Sequence, residues 1–399
     1  MTASKEEERL FSPIRVGRMN LEHRVVLAPL TRMRADSKDG TLTLLGEAHA
    51  EYYSQRASKG GLQITEATFI SARAGGFKDV PGIYTSEQLE AWRRITDAVH
   101  AKGGFIYAQL WALGRAAPSE FQVGANTYQR VSASETAFDL AKGGKLARAL
   151  TVEEIRGYVE DYARAAKQAV EVAGFDGVEI HGANGYLVDQ FLQLKTNKRT
   201  DEYGGSLKNR IRFPLEILKA VSREIGEDRV GIRISPFSEF QGMKDENPLE
   251  TTFSPYLGAI LEQHPKIAYV HAVETRISGG STGNDYGDQE TLEPLREIIR
   301  EHVSSRKEQE VEQGGDGSGT KFISAGGYLA DSARERANKS GDLIAFGRVF
   351  ISNPDLPERL RNGWELTPYN RSTFYTRTTE GYTDYPTYPE QAKSVKAKV

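Results

Sequence analysis

Eight short apolar runs recur along the 399-residue chain. They are RVVLAPL (24–30), GLQITEATFI (61–70), FIYAQLW (105–111), FDGVEIHG (175–182), RVGIRIS (229–235), IAYVHAVE (267–274), KFISAGG (321–327) and DLIAFGR (342–348). Several lack strict alternation of apolar and polar positions, as strands buried on both faces do. Amphipathic helical patterns lie between them, among them EAHAEYYSQRAS, SEQLEAWRRITDAVHAK, LKNRIRFPLEILKAVSREIG, ETLEPLREIIREHV, ADSARERANKSG and PDLPERLRNG. The pattern TVEEIRGYVEDYARAAKQAVEVAG opens on Thr151 and Glu154, a capping-box spacing, and ends at Gly174. Eightfold alternation predicts an α/β chain folded as a parallel (β/α)8 TIM barrel, with a doubly wound sheet as the competing architecture.

The remaining length falls in defined places, and the whole of 1–399 reads as a single domain. FSPIRVGRMNLEHRVV precedes the first strand and resembles a β-hairpin that plugs the barrel floor. Residues 112–150, 236–248 and 275–287 follow strands, so they form extended loops on the C-terminal face, where barrels carry their active sites. Residues 304–320, SSRKEQEVEQGGDGSGT, join a helix to the next strand and belong on the opposite face. Their charge and glycine content predict a mobile insert. GGDGSG does not fit the dinucleotide fingerprint and does not run from a strand into a helix.

Composition narrows the function classes. The net charge is −3 and no long basic stretch is present, which argues against nucleic acid as a partner. Mean hydropathy is −0.52, and no apolar run approaches the ~18 residues of a membrane span. The start, MTASKEEERLFSP, is polar and acidic and matches neither a signal nor a transit peptide, and KSVKAKV at the end matches no common address signal. A cytoplasmic protein is expected. The absence of Cys removes disulfides, thiol catalysis and cysteine-bound metal clusters. Among the 7 His, only His181 is placed at the predicted barrel mouth; His271 lies mid-strand and Glu274 ends the same strand, with no third ligand at useful spacing, so no metal site is expected.

The predicted strand ends carry Thr31, Gln109, His181, Arg233, Gly326, Gly327, Gly347 and Arg348. The glycines and Arg348 suit a phosphate held by backbone N–H groups and a bidentate guanidinium, or else simply make tight turns. Arg233 either pairs with Glu179 or Glu274 or faces a cofactor that gains negative charge. Gln109 and Thr31 either cap their strands or read a heterocycle. His181, Asn184 and Tyr186 crowd between a strand and a helix in GFDGVEIHGANGYLVDQFL (174–192). As a functional set, His181 and Asn184 point N–H donors at one oxygen and Tyr186 is a general acid, protonated at neutral pH because a phenol titrates near ~10. As a structural set, they are a core His, a turn Asn and a packed Tyr.

Nearly all of the chain, from LFSPIRVG to DYPTY, resembles the old yellow enzymes, with fungal and yeast members most similar. The resemblance rests on LAPLTRMRA, EYYSQRAS, AGGF…PGIYTSEQ, AQLWALGR, IRISP, AFGRVFISNPDLPERL and TFYT…GYTDYPTY. It rests most on HGANGYLVDQFL followed by TDEYGGSLKNR. It implies a barrel that binds FMN non-covalently and uses NADPH as hydride donor to reduce the activated C=C bond of unsaturated aldehydes, ketones, imides or nitroalkenes. It also implies a monomer or homodimer acting on small molecules. Carried onto matching positions, Thr31 touches the flavin edge, Gln109 bonds its pyrimidine ring and Arg233 stabilises its anionic reduced form. Gly326, Gly347 and Arg348 hold the phosphate, with Pro29, Leu30 and Gly327 nearby, and Phe374 borders the cofactor. His181 and Asn184 bind the substrate's carbonyl oxygen, Tyr186 protonates carbon, and Trp111, Phe240 and Tyr375 shape the pocket. Gly327 stands where several yeast relatives have Asn, Phe77 stands where some have Tyr, and the loop TRISGGSTGNDYGD is short and glycine-rich. A related group in ergot-alkaloid synthesis, some of whose members replace the Tyr by Phe and isomerise, supplies the alternative of a dedicated secondary-metabolite reductase or isomerase. Tyr186 is retained here, which favours reduction.

Overall fold

The computed structural model describes residues 8–37, 43–44, 46–136, 146–278, 281–282, 290–311 and 319–391. Eight parallel strands form its centre: β1 Val25–Leu27, β2 Leu62–Ile64, β3 Phe105–Trp111, β4 Gly177–His181, β5 Val230–Ile234, β6 Tyr269–Val273, β7 Lys321–Ala325 and β8 Leu343–Phe346. Each pairs with its sequence neighbours, and β8 pairs with β1, so the sheet closes into a barrel. The doubly wound alternative is thereby excluded. The 61–70 run is not one strand. It breaks after Ile64 because the Glu66 N–H leaves the ladder to bond the Tyr53 hydroxyl at 2.9 Å, and Thr68–Phe69 pairs separately with the end of β3.

The helices α1 Glu47–Gln55, α2 Ser86–His100, α3 Val152–Glu171, α4 Arg212–Ile225, α5 Ser254–Gln263, α6 Glu293–Val311, α7 Ala330–Ser340 and α8 Leu356–Asn362 follow the strands in turn. Their apolar faces meet the outer faces of the strands in the main core, where Trp92, Tyr162, Ile180, Ile217 and Phe253 are fully buried. The capping box of α3 forms as the spacing predicts: the Thr151 hydroxyl accepts from the Glu154 N–H at 3.2 Å, and the Glu154 carboxylate accepts from the Thr151 N–H at 2.8 Å. The helical stretch at 207–226 is two pieces, Leu207–Arg210 and α4. Pro214 has no N–H to offer the Arg210 carbonyl, which breaks the ladder there. In the stretch 304–320, α6 continues to Val311, because Lys and Glu favour helix and no glycine intervenes before Gly314. Residues 312–318 lie outside the described residues, as do 137–145, 279–280 and 283–289 of the strand-end loops.

Inside the barrel a smaller core joins Val26, Leu62, Ile64, Tyr107, Tyr269, Ile323 and Leu343 to Val16, Met19 and Leu21. Those last three belong to the antiparallel hairpin Ile14–Val16/Met19–Leu21, which therefore plugs the floor as expected. Its turn needs glycine: Gly17 has φ +52, and a Cβ there would lie 2.0 Å from the Asp228 carbonyl. With the floor filled, the free space of the barrel is at the strand C-termini. Among the described residues, no helix is long and apolar enough to cross a membrane.

Candidate active site

Strand register brings the polar side chains together. In the parallel pairs Gln109 is opposite Glu179, His181 opposite Arg233, and Arg233 opposite His271. Opposed residues on adjacent strands face the same side. Trp111 ends β3 two residues above Gln109; its ring lies 6.1 Å from the His181 ring at 16° and meets Tyr186 edge-on at 4.7 Å. Phe69 stacks behind Trp111 at 5.2 Å and Phe77 meets it edge-on at 5.8 Å, which makes an apolar wall.

His181 is buried, and its Nδ1 accepts the Ala183 N–H at 3.3 Å. Burial, with Arg233 and His271 adding to it, pushes the imidazole well below its ordinary pKa. A neutral ring with Nδ1 accepting carries its proton on Nε2. His181 therefore presents one N–H donor.

The turn that follows is fixed by four contacts. Asn184 and Gly185 are both left-handed, with φ 58 and 75. The Asn184 N–H donates to the Ser235 hydroxyl at 2.7 Å, and the Gly185 N–H to the Asp189 carboxyl at 2.8 Å. The Gly185 carbonyl accepts from Gln190 at 2.7 Å, and the Leu187 N–H reaches the Ala112 carbonyl at 3.1 Å. Asn184 tolerates the left-handed backbone better than most residues. The result sets Tyr186 at the head of the short helix Leu187–Leu192, its ring 5.0 Å from His181 at 75°. Burial raises the Tyr186 phenol, the charge of Tyr375 adds to this, and Arg233 and the Gln241 side chain oppose it. Gln241 sits on the loop 236–248, which thus reaches the mouth as its position after β5 predicts.

The Arg233 side chain makes no hydrogen bond or ion pair among the described residues, and its Nε is buried without a partner. Both carboxylates offered by the sequence are engaged elsewhere. Glu179 accepts from Gln109 Nε2 at 2.7 Å and binds His271 Nδ1 at 2.8 Å. Glu274 accepts from Arg296 at 2.7 Å and from the Tyr328 hydroxyl at 3.0 Å. The salt-bridge reading of Arg233 is thus replaced by a guanidinium facing the mouth unpaired. Asn184 Oδ1 and Trp111 Nε1 are likewise buried without partners.

At the ends of β7 and β8 the chain turns tightly. Gly326 has φ +145 and would bring a Cβ to 2.7 Å from Glu274 Cβ; Gly327 has φ +69. Gly347 lies against Leu30, whose Cδ2 would be 3.2 Å from a Cβ there. Arg348, half-buried, heads the short helix Arg348–Ser352. Pro29, Leu30 and Thr31 follow β1 and are half-buried. These close backbone approaches, with the orphaned Arg233, Asn184 and Trp111 groups, fit a flat heterocycle carrying a phosphate, and FMN is such a group.

Phe374 is buried between Tyr369 and Tyr375, whereas Phe240 and Tyr375 are exposed. Sequence reasoning gave no role to Arg32 and Arg34, which tie this C-terminal segment to β1. Arg32 Nε donates to the Phe374 carbonyl at 3.1 Å and Nη2 to Gly381 at 2.8 Å; Arg34 reaches the carbonyls of Thr373 and Thr378 at 2.8 and 2.7 Å. Their only signal was membership of LTRMRA. Glu66 was also missed: fully buried next to Arg32, its carboxyl is pushed up to about 7 by desolvation.

Residues 9–367 match the model of the NADH:flavin oxidoreductase / NADH oxidase family. A flavin oxidoreductase of Emericella nidulans is 46% identical over 95% of this chain and 97% of its own length. A chanoclavine-I aldehyde reductase of Penicillium roqueforti is 44% identical over 98% of this chain and 99% of its own. The old yellow enzyme homologue of Zymomonas mobilis superposes with a TM-score of 0.76 at 38% identity, covering 94% of this chain and 99% of that one. With a closed barrel, an unpaired arginine and the His181–Asn184–Tyr186 turn at its mouth, the chain belongs to the NADH:flavin oxidoreductase / NADH oxidase family, as an FMN-dependent oxidoreductase of the old yellow enzyme type.

Proposed function

We propose that the protein is an NADPH-dependent ene-reductase that saturates the activated C=C bond of α,β-unsaturated aldehydes, ketones, imides or nitroalkenes. The observation that carries this is the half-buried Arg233 guanidinium, its Nε without a partner, beside two neutral donors and one phenol. When bound, FMN supplies the hydride chemistry. Arg233 offsets negative charge next to the heterocycle, and Gln109 and Thr31 meet its polar edge. Gly326, Gly327, Gly347 and Arg348 receive the phosphate without a covalent link. His181 Nε2–H and the Asn184 amide polarise the substrate's carbonyl or nitro oxygen. Tyr186 delivers a proton to the α-carbon. Trp111, Phe240 and Tyr375 wall the mouth.

The purified protein is expected to be yellow, to release FMN on heating, and to consume NADPH with 2-cyclohexenone but not with cyclohexanone. Release of FAD, or oxidation of NADPH without saturation of the enone, would overturn the assignment. Gly326→Ala is expected to lower folding stability by about 1–3 kcal/mol and to bind FMN about 10-fold more weakly, a loss of about 1.4 kcal/mol, because the added methyl meets Glu274 and displaces the turn that would face the phosphate. Equilibrium titration of the apoprotein with FMN measures this.

A second reading, a dedicated reductase of one secondary metabolite, is favoured by the Penicillium relative, whose name is that of an aldehyde reductase. An aldehyde oxygen would meet the same His181–Asn184 donors. Turnover confined to one aldehyde in a panel of simple enones and enals would select it.

A further inference from the structure

We propose that Glu179 is a positioning residue that locks the Gln109 amide in the orientation the cofactor's heterocycle requires. This rests on the FMN reading above. Gln109 and Glu179 are opposed on β3 and β4 and both are buried, with Gln109 Nε2 2.7 Å from Glu179 Oε1. The two ends of a glutamine amide have nearly the same shape, so packing alone does not choose between them. A carboxylate oxygen only accepts, so it selects the NH2 end. Gln109 is then left with its carbonyl oxygen and one N–H for the barrel mouth. The pyrimidine ring of a flavin has one N–H flanked by two carbonyls. An acceptor beside a donor matches that edge. The flipped amide would set donor against donor and acceptor against acceptor.

Glu179 is itself held. Its Oε2 lies 2.8 Å from Nδ1 of His271, a residue with no exposed surface. Burial keeps His271 below its ordinary pKa, so the ring is neutral and its single proton sits on Nδ1, facing the carboxylate. His271 Nε2 is buried without a partner. Gln109, Glu179 and His271 therefore form a directed chain from β3 through β4 to β6. Among the charged groups in this layer, Arg233 acts on Glu179 through space, so the carboxylate also opposes part of the charge that Arg233 offers the cofactor.

Glu179→Gln separates these roles from simple packing, because it keeps the shape and loses both the obligatory acceptor and the charge. Apoprotein is titrated with FMN, and the midpoint potential of the bound flavin is measured. The variant is expected to bind oxidised FMN about 10- to 100-fold more weakly. With Arg233 no longer opposed, reduced FMN should gain about 10-fold in affinity relative to oxidised FMN, a rise of about 30 mV for a two-electron couple. Gln109→Leu should weaken FMN binding, and adding Glu179→Gln to it should weaken binding little further, since residues acting through one contact are not additive. Wild-type apoprotein that fails to take up FMN would sink the proposed function itself. If the wild type binds, then affinity within about 2-fold in folded Glu179→Gln or fully additive losses would each overturn the positioning role, and an unshifted potential would overturn the opposition of Glu179 to the Arg233 charge. Should Glu179→Gln not fold, His271→Leu removes the second anchor of the same carboxylate. A 3-fold or greater loss of FMN affinity is then expected, and no loss overturns the proposal.

Discussion

Tyr186→Phe is expected to slow the oxidation of the reduced enzyme by an enone by about 10²–10⁴-fold, the usual range for loss of a general acid. Enzyme reduction by NADPH should change by less than about 10-fold, because no carbon is protonated in that half-reaction. The ring itself is held by edge contacts, 4.7 Å from Trp111 and 5.0 Å from His181. Phenylalanine keeps those contacts, so the loss reports the hydroxyl. Burial raises the phenol above its ordinary value, which keeps it protonated across the neutral range. An enolate carbon is a far stronger base than a phenolate, so the raised phenol still donates to it. The rate of enone reduction should accordingly show no loss from phenol ionisation up to pH ~10, the unperturbed value. Quinone acceptors, whose oxygens take protons from water, should be much less affected than enones. Stopped-flow absorbance follows the two half-reactions separately. Equal slowing of both would make Tyr186 a ligand-positioning group, and no slowing of either would assign the proton to another donor.

The barrel was legible because strands buried on both faces leave continuous apolar runs, and eight of them alternate with helical spacing. What stayed hidden were choices made by distant partners. The strand break at Glu66 depends on the Tyr53 hydroxyl of α1. The sequence offered Glu179 and Glu274 as partners for Arg233, yet Gln109, His271, Arg296 and Tyr328 take those carboxylates. Nothing local distinguishes these outcomes. In GVEIH and YVHAV the buried Glu179 and His271 sit within apolar strands, where a period of two gives parity but not which side is the barrel interior. Arg32 and Arg34 hold carbonyls more than 300 residues away in sequence. The segment 304–311 was misread because charge suggests a loop, while the same lysines and glutamates are good helix formers. By contrast, HGANGY was legible as a turn because Asn and Gly are the residues that accept consecutive left-handed backbone, and the structure uses both that way.

His181→Ala is expected to slow enone reduction by about 10²–10³-fold, the usual cost of one donor to a developing oxyanion. The donor is specified by the fold: the Ala183 N–H occupies Nδ1 at 3.3 Å, which places the proton of the neutral ring on Nε2. Under the proposed function both donors would serve one oxygen, so Asn184→Ala should act on the same step. A phenol bound as phenolate supplies a static test of the same pair. In the wild type it should give a long-wavelength charge-transfer band with the oxidised cofactor, and the band should weaken in either variant. The pH dependence has a definite sign. Burial holds His181 below its unfolded pKa of ~6.5, so the folded state favours the neutral ring. That contribution to stability is present above the unfolded value and is lost as pH falls through the folded one. His181→Ala removes it, so the variant's melting temperature should fall less steeply than the wild type's below pH 6.5. The wild-type rate of enone reduction should show no imidazole ionisation between about pH 6 and 9, since the neutral form prevails throughout. A rate that rises with protonation near pH 6.5 would mean that the working donor is an imidazolium. A charge-transfer band unchanged in both His181→Ala and Asn184→Ala would place the oxygen elsewhere in the barrel mouth.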